Sequence, residues 1–153
     1  MTLDAVLENF SFLDAEQIEK IKGVGFRDNE VEVFSIVEYF IKKNNIDAVK
    51  LSLENGIDVN LSESGDFGSS LLHIAIRFER MEIFELLLEN GANIDFVDNV
   101  GWTPLMESVV DDKPVFGKIL VEKGARKDFV NQRGATAQAL AHKFGRRDFF
   151  EFI

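Results

Sequence analysis

Apolar and polar positions along this chain fall into blocks that recur. Leu86, Leu87 and Leu88, followed by Glu89, Asn90, Gly91 and Ala92, return 33 residues later as Ile119, Leu120, Val121, Glu122, Lys123, Gly124 and Ala125. A second string, Gly68 to Ala75, lies without gaps over Gly101 to Ser108 and over Gly134 to Ala141 at the same interval. Ile83, Phe84, Leu86, Leu87 and Leu88 form an apolar stripe at helical spacing that is too wide to leave in water. The pattern predicts pairs of short helices, each pair covered by its neighbours, and a fixed period of this length marks a stacked repeat protein.

Local signals place the helix ends. Thr103 is suited to accept from a free backbone N–H at a helix start, and Pro104 at the first helical position gives up a donor that has no partner there. Gly91 ends the next helix in a left-handed turn, and Pro114 falls at the start of another. A degenerate first period reads as a helix over Val33 to Ile41 and a second from Asp47, closed by Gly56, without the Thr-Pro start. Gly56 to Gly91 is 35 residues rather than 33, so Leu61 to Asp66 should hold about two extra residues. Such an insertion maps to loops on one face, often the binding face, although a neutral insertion there is as easily tolerated. Residues 1 to 30 leave the period. Asp14 to Lys22 predicts a short helix stopped by Gly23, Val24 and Gly25, and Leu3, Val6, Leu7, Phe10, Phe12, Leu13, Ile18 and Ile21 supply apolar surface for an N-terminal cap.

Taken together, these registers resemble the ankyrin repeat family, whose signature runs G-x-T-P-L-H-x-A into a leucine-rich second helix and G-A. Gly101-Trp102-Thr103-Pro104-Leu105, Leu71-Leu72-His73-Ile74-Ala75 and the Gly91-Ala92 and Gly124-Ala125 pairs carry the likeness across roughly residues 31 to 153. The resemblance implies an all-α solenoid of about four helix-turn-helix repeats joined by β-hairpin-like loops. Residues 1–153 then form a single domain: an N-terminal helical cap (1–30), a degenerate first repeat (31–64), repeats two (65–97) and three (98–130), and a C-terminal capping repeat (131–153). It also implies that His73 makes a structural hydrogen bond to the neighbouring loop. Met106 stands where the signature has histidine, and Gln138 and Ala139 where it has Leu-His, so that network should be incomplete. Phe149, Phe150, Phe152 and Ile153 fall inside the last second helix, either covering the preceding repeat or offering a self-association patch.

In the family, the hairpin tips and the exposed side of each first helix form a concave protein-binding surface. Carried over residue by residue, this selects Asp66, Phe67, Ser69, Arg77 and Phe78 in repeat two, and Asn99, Val100, Trp102, Val110 and Asp111 in repeat three. Gln132, Arg133, Lys143 and Phe144 follow in the last repeat, and Val97 and Val130 join them at the hairpins. Phe67, Phe78, Trp102 and Phe144 recur on one predicted face, and aromatic residues with arginine are the usual material of interface hot spots.

Charge and chemistry narrow the function. Residues 1 to 64 carry 13 acidic against 6 basic side chains, 65 to 130 carry 12 against 7, and 131 to 153 carry 2 against 4, within a net charge of −10. An acidic body repels nucleic acid and anionic membranes and speeds encounter with a basic protein; it also serves solubility alone. With no cysteine there is no disulfide framework, and without a charged-then-apolar leader or a run of roughly 20 apolar residues the expected home is the cytoplasm. His142 has no partner at metal-ligand spacing, no serine sits in a G-x-S-x-G elbow, and no phosphate loop or dinucleotide fingerprint occurs, so neither catalytic, cofactor nor metal residues are expected. The expected function is a binding protein, monomeric when free, that masks a partner as an inhibitor or toxin-immunity protein does. The alternatives are an adaptor or host-directed effector that recruits, and a self-associating module.

Overall fold

The structure, a computed structural model, describes residues 30–54 and 56–153. The N-terminal cap expected over residues 1–30, with its helix at Asp14 to Lys22, lies outside these, except that Glu30 already begins the first repeat's helix. Among the described residues seven helices follow in order: α1 (Glu30–Lys42), α2 (Ile46–Glu54), α3 (Leu71–Arg77), α4 (Met81–Glu89), α5 (Pro104–Val110), α6 (Pro114–Glu122) and α7 (Ala137–Phe144), then a single 3-10 turn (Arg147–Phe149). The first helices α1, α3, α5 and α7 stack in succession, and α2 packs on α4, giving an all-α repeat solenoid. Among the described residues no helix is long and apolar enough to cross a membrane. From α2 onward the helices run 7 to 9 residues, too short to persist alone in water, so each depends on the apolar face it buries.

The starts of the first helices repeat one local chemistry. Ser70, Thr103 and Thr136 lie at 33-residue intervals, and each side chain accepts from the backbone N–H three residues on. Pro104 and Pro114 occupy the first positions of α5 and α6, as the sequence predicts. The core runs through the stack as Val37, Ile41, Leu72, Ile76, Phe84, Leu87, Val109 and Leu120, all essentially buried. Phe84 meets Phe116 edge to face at 5.0 Å, joining α4 to α6.

Hairpin closure accounts for the 35-residue interval. The N–H of Asp98 donates to Trp102 O and that of Asn131 to Ala135 O, each spanning four residues, whereas Glu63 donates to Ser69 O across six. The two extra residues therefore sit inside the hairpin between the first two repeats, next to an isolated antiparallel bridge between Ser62 and Ser70. The hairpins are also laced together: Asn93 N donates to Asn60 Oδ1 at 2.7 Å and Arg126 N to Asp95 Oδ1 at 2.8 Å.

The C-terminal end departs from expectation. Residues 149 to 153 are not part of a second helix; Arg147–Phe149 closes as a 3-10 turn after Gly145, which takes a left-handed φ of 66°. The cause is Phe149, drawn fully into the core over α6. A Cβ on Gly117 would lie 2.6 Å from its ring, so that glycine makes the space. Phe149 and the half-buried Phe152 cover the preceding repeat, while Phe150 stays 42% exposed and stacks on His142 at 4.4 Å.

Candidate functional site

A cleft of about 380 Å³ opens where the second and third repeats meet, lined by Phe67, Arg77, Asp98, Trp102, Glu107, Val110 and Asp111. Its walls come from the two hairpins and its floor from the end of α3 and the middle and C-terminal end of α5. Five of these residues belong to the surface expected from sequence; Asp98 and Glu107 do not.

His73 holds the hairpin wall from beneath. It is fully buried. Its Nδ1 faces Ser70 N–H at 3.3 Å and Ser70 Oγ at 2.8 Å, so Nδ1 accepts, and Nε2 is left to donate to Trp102 O at 3.2 Å. This is the structural hydrogen bond to the neighbouring loop that the resemblance implies. Burial pushes its pKa down to about 4, which keeps the ring neutral. Asp98 completes the wall: its Oδ1 accepts from Val100 N at 2.9 Å and Trp102 N at 2.8 Å, fixing the turn that presents Trp102. In the last hairpin Asn131 makes the same pair of bonds to Arg133 and Ala135.

The floor is an ion pair across the repeat boundary. Arg77 Nε and Nη2 each approach Glu107 Oε1 at 2.8 Å, and Nη2 also donates to Ser69 Oγ at 3.2 Å. Glu107 is 1% exposed, and its Oε2 is buried without a hydrogen-bond partner. Burial raises its pKa to about 7, outweighing the attraction of Arg77, with Asp111 and Asp98 pushing the same way. Asp111 is raised as well, chiefly by burial, against the pull of Arg77, Lys113 and Arg146.

The remaining predicted residues fall elsewhere. Ser69 is a correction: it is fully buried and supports Arg77, because the guanidinium folds over it. Asn99 is exposed but spends its amide on Gly65 O at 3.2 Å, packing so closely on Gly68 that a Cβ there would lie 2.5 Å away. Asp66, Val97, Val130, Gln132 and Arg133 are exposed along the hairpins, and Val100 is half-buried. The four aromatic residues expected on one face do not all meet. Phe67 and Trp102 line the cleft, whereas Phe78 lies half-buried under Lys42 Nζ at 5.4 Å and Phe144 stands beside Lys143 Nζ at 5.5 Å. Glu107 has a signal in the sequence, since the repeat alignment sets it opposite Ile74 and Leu140, an acid among buried apolar residues. Among the described residues no group of three or more side chains is arranged to hold a metal ion.

Comparison with known proteins agrees with this architecture. A family model for ankyrin repeats, in three copies, matches residues 34–131. The chain is 35% identical over 102 residues to the ankyrin repeat protein OPG189 of Variola virus, covering 64% of this chain and 18% of that protein. It is 34% identical over 76 residues to human protein phosphatase 1 regulatory subunit 27, covering 50% of this chain and 49% of the relative. It is likewise 34% identical over 85 residues to the glycerophosphocholine phosphodiesterase GDE1 of Candida albicans, covering 55% of this chain but 7% of the enzyme. The chain thus spans half or less of the length of these relatives. The stacked helix pairs, the threonine and glycine registers and the match over residues 34–131 make this chain a member of the ankyrin repeat family, a fold of protein–protein interaction rather than catalysis.

Proposed function

We propose that the protein binds a basic partner protein across the cleft between its second and third repeats and masks it, as an inhibitor or immunity protein does, in the cytoplasm. The observation that carries this reading is the cleft itself: two partly exposed aromatic side chains, Phe67 and Trp102, flank three acidic residues and one arginine. Exposed aromatics are costly to leave in water and typical of interface anchors, and the net charge of −10 favours a cationic partner. The human relative's name, a phosphatase regulatory subunit, is in keeping with control of another protein. A recruiting role has one observation in its favour, that two of the relatives, the Variola protein and the Candida enzyme, are much longer than this chain and have room for further domains.

The test is capture of partners from lysate of the source organism with the wild type and with a Phe67→Ala/Trp102→Ala double variant, followed by assay of the captured protein's own activity. A basic protein held only by the wild type and losing its activity when bound supports masking. Retained activity in the complex turns the reading to recruitment, and equal capture by the double variant removes the cleft from it.

A further inference from the structure

We propose that the cleft is a socket for one arginine side chain of the partner, its guanidinium donating to Glu107 and Asp111 and its plane laid against Phe67 or Trp102. This rests on the reading of the protein as a binding module and names the group that the module recognises.

Three observations point to that occupant. First, Glu107 lines the cleft at 1% exposure with Oε1 engaged by Arg77 and Oε2 unpartnered. Buried acceptors in folded proteins are nearly always paired, so Oε2 is an acceptor with capacity to spare for an incoming donor. Second, the lining carries three acidic side chains, Asp98, Glu107 and Asp111, against the one basic side chain of Arg77. Asp98 spends Oδ1 on the hairpin backbone and contributes mainly field; Asp111 is half-buried at the end of α5. Third, the walls are aromatic. A planar, multiply donating cation between ring faces and separate carboxylates is what a guanidinium supplies and an ammonium does not. The size agrees: about 380 Å³ is near the low end of ligand pockets, room for one long side chain and not for a helix roughly 10 Å across.

Trp102 is the chain's single tryptophan, so its emission reports on this cleft alone. The probes are acetyl-Gly-Ala-Arg-Ala-Gly-amide and the same peptide with citrulline or lysine in place of arginine, titrated at about pH 8, above the value of about 7 to which Glu107 is raised. The expected result is a saturable emission change with the arginine peptide at a concentration at least about tenfold lower than with either analogue, as loss of a charged or forked contact implies. Glu107→Gln should abolish the preference, and Asp111→Asn should reduce it; if the first variant does not fold, the second decides. An equal response to citrulline overturns the socket, equality with lysine overturns the choice of arginine, and an undiminished preference in a folded Glu107→Gln overturns the role of that acid. A partner captured through Phe67 and Trp102 but indifferent to Glu107→Gln would leave the binding reading standing and remove the socket alone.

Discussion

Arg77 of α3 and Glu107 of α5 meet across the boundary between repeats, the guanidinium Nε and Nη2 each 2.8 Å from one carboxylate oxygen while the other oxygen has no partner. A buried pair in this position is weak evidence of stability, because desolvation offsets most of the attraction. The sister repeats place Ile74 and Leu140 where this one places Glu107, so an apolar residue fits the stack there. Glu107 is a departure from the repeat that folding alone does not call for.

The first prediction follows from that comparison. Arg77→Met leaves Glu107 buried and unpaired and is expected to cost about 2 kcal/mol, below the usual cost of breaking a buried pair because Arg77 is 35% exposed. Adding Glu107→Leu removes the charge and restores the sister residue, so the double variant is expected to be at least as stable as the wild type. Urea unfolding of the two variants decides it; a double variant less stable than the single one would mean that the pair holds the repeats together.

The pH dependence of stability sets Glu107 against His73. Glu107 is raised from 4.5 to about 7, so between those values the folded protein holds a proton that the unfolded chain has released, and stability falls as pH rises. His73 is lowered from 6.5 to about 4, so there the unfolded chain holds the extra proton and stability rises with pH. From about pH 4.5 to 6.5 the two contributions oppose each other. Glu107→Gln removes the falling one, and the variant is expected to gain roughly 3 kcal/mol more than the wild type over that span. Urea midpoints measured across it check the sign; parallel profiles would show that Glu107 is ionised throughout.

How much of this was legible in the sequence depends on whether the governing interaction is local. The cap at Thr103, with Ser70 and Thr136 aligned to it by the repeat, and the glycine turns were legible because each is set by backbone chemistry within a few residues. The two-residue insertion was legible because spacing alone reveals it. Burial of Ser69 was not, since it comes from an arginine eight residues on folding over it, and Glu107 meets its partner 30 residues away only when the repeats stack. The turn between helices hid in the same way: Glu79 and Asp112 take left-handed φ values of 55° and 58°, the conformation Gly145 takes one period later. Glycine marks that register in one repeat and side chains disguise it in the others.

The third prediction concerns a basic series in the same register. Arg80, Lys113 and Arg146 lie 33 residues apart, and each reaches back to the turn of the preceding repeat. Arg80 donates to Ile41 O at 3.2 Å and Lys42 O at 2.7 Å, Lys113 pairs with Glu79, and Arg146 donates to Val110 O and Asp112 Oδ2, both at 3.1 Å. Arg80 and Arg146 thus satisfy carbonyls at helix C-termini that have no partner within the helix. Arg80→Met is expected to cost about 1 kcal/mol, and to raise amide hydrogen exchange in α1 more than in α5. Uniform loss of protection across the stack would refute a local cap.

The last prediction uses the contact that reshapes the C-terminal end. Gly117 lies inside α6, where alanine normally gains about 1 kcal/mol over glycine by helix propensity. Here a Cβ would stand 2.6 Å from the Phe149 ring and 2.9 Å from Ser108 Oγ, and the ring is fully buried with little room to retreat. Gly117→Ala in the wild type is therefore expected to destabilise by about 1 to 3 kcal/mol despite the propensity gain. Phe149→Ala alone should cost about 3 to 5 kcal/mol by opening a cavity over α6. With that ring gone the larger clash disappears and the propensity term remains, so Gly117→Ala introduced into Phe149→Ala should cost much less than in the wild type, or stabilise. A double-mutant cycle by thermal unfolding measures the coupling, expected to exceed about 1 kcal/mol. Additive effects would show that Phe149 is not held over Gly117, and the 3-10 turn would then need another cause.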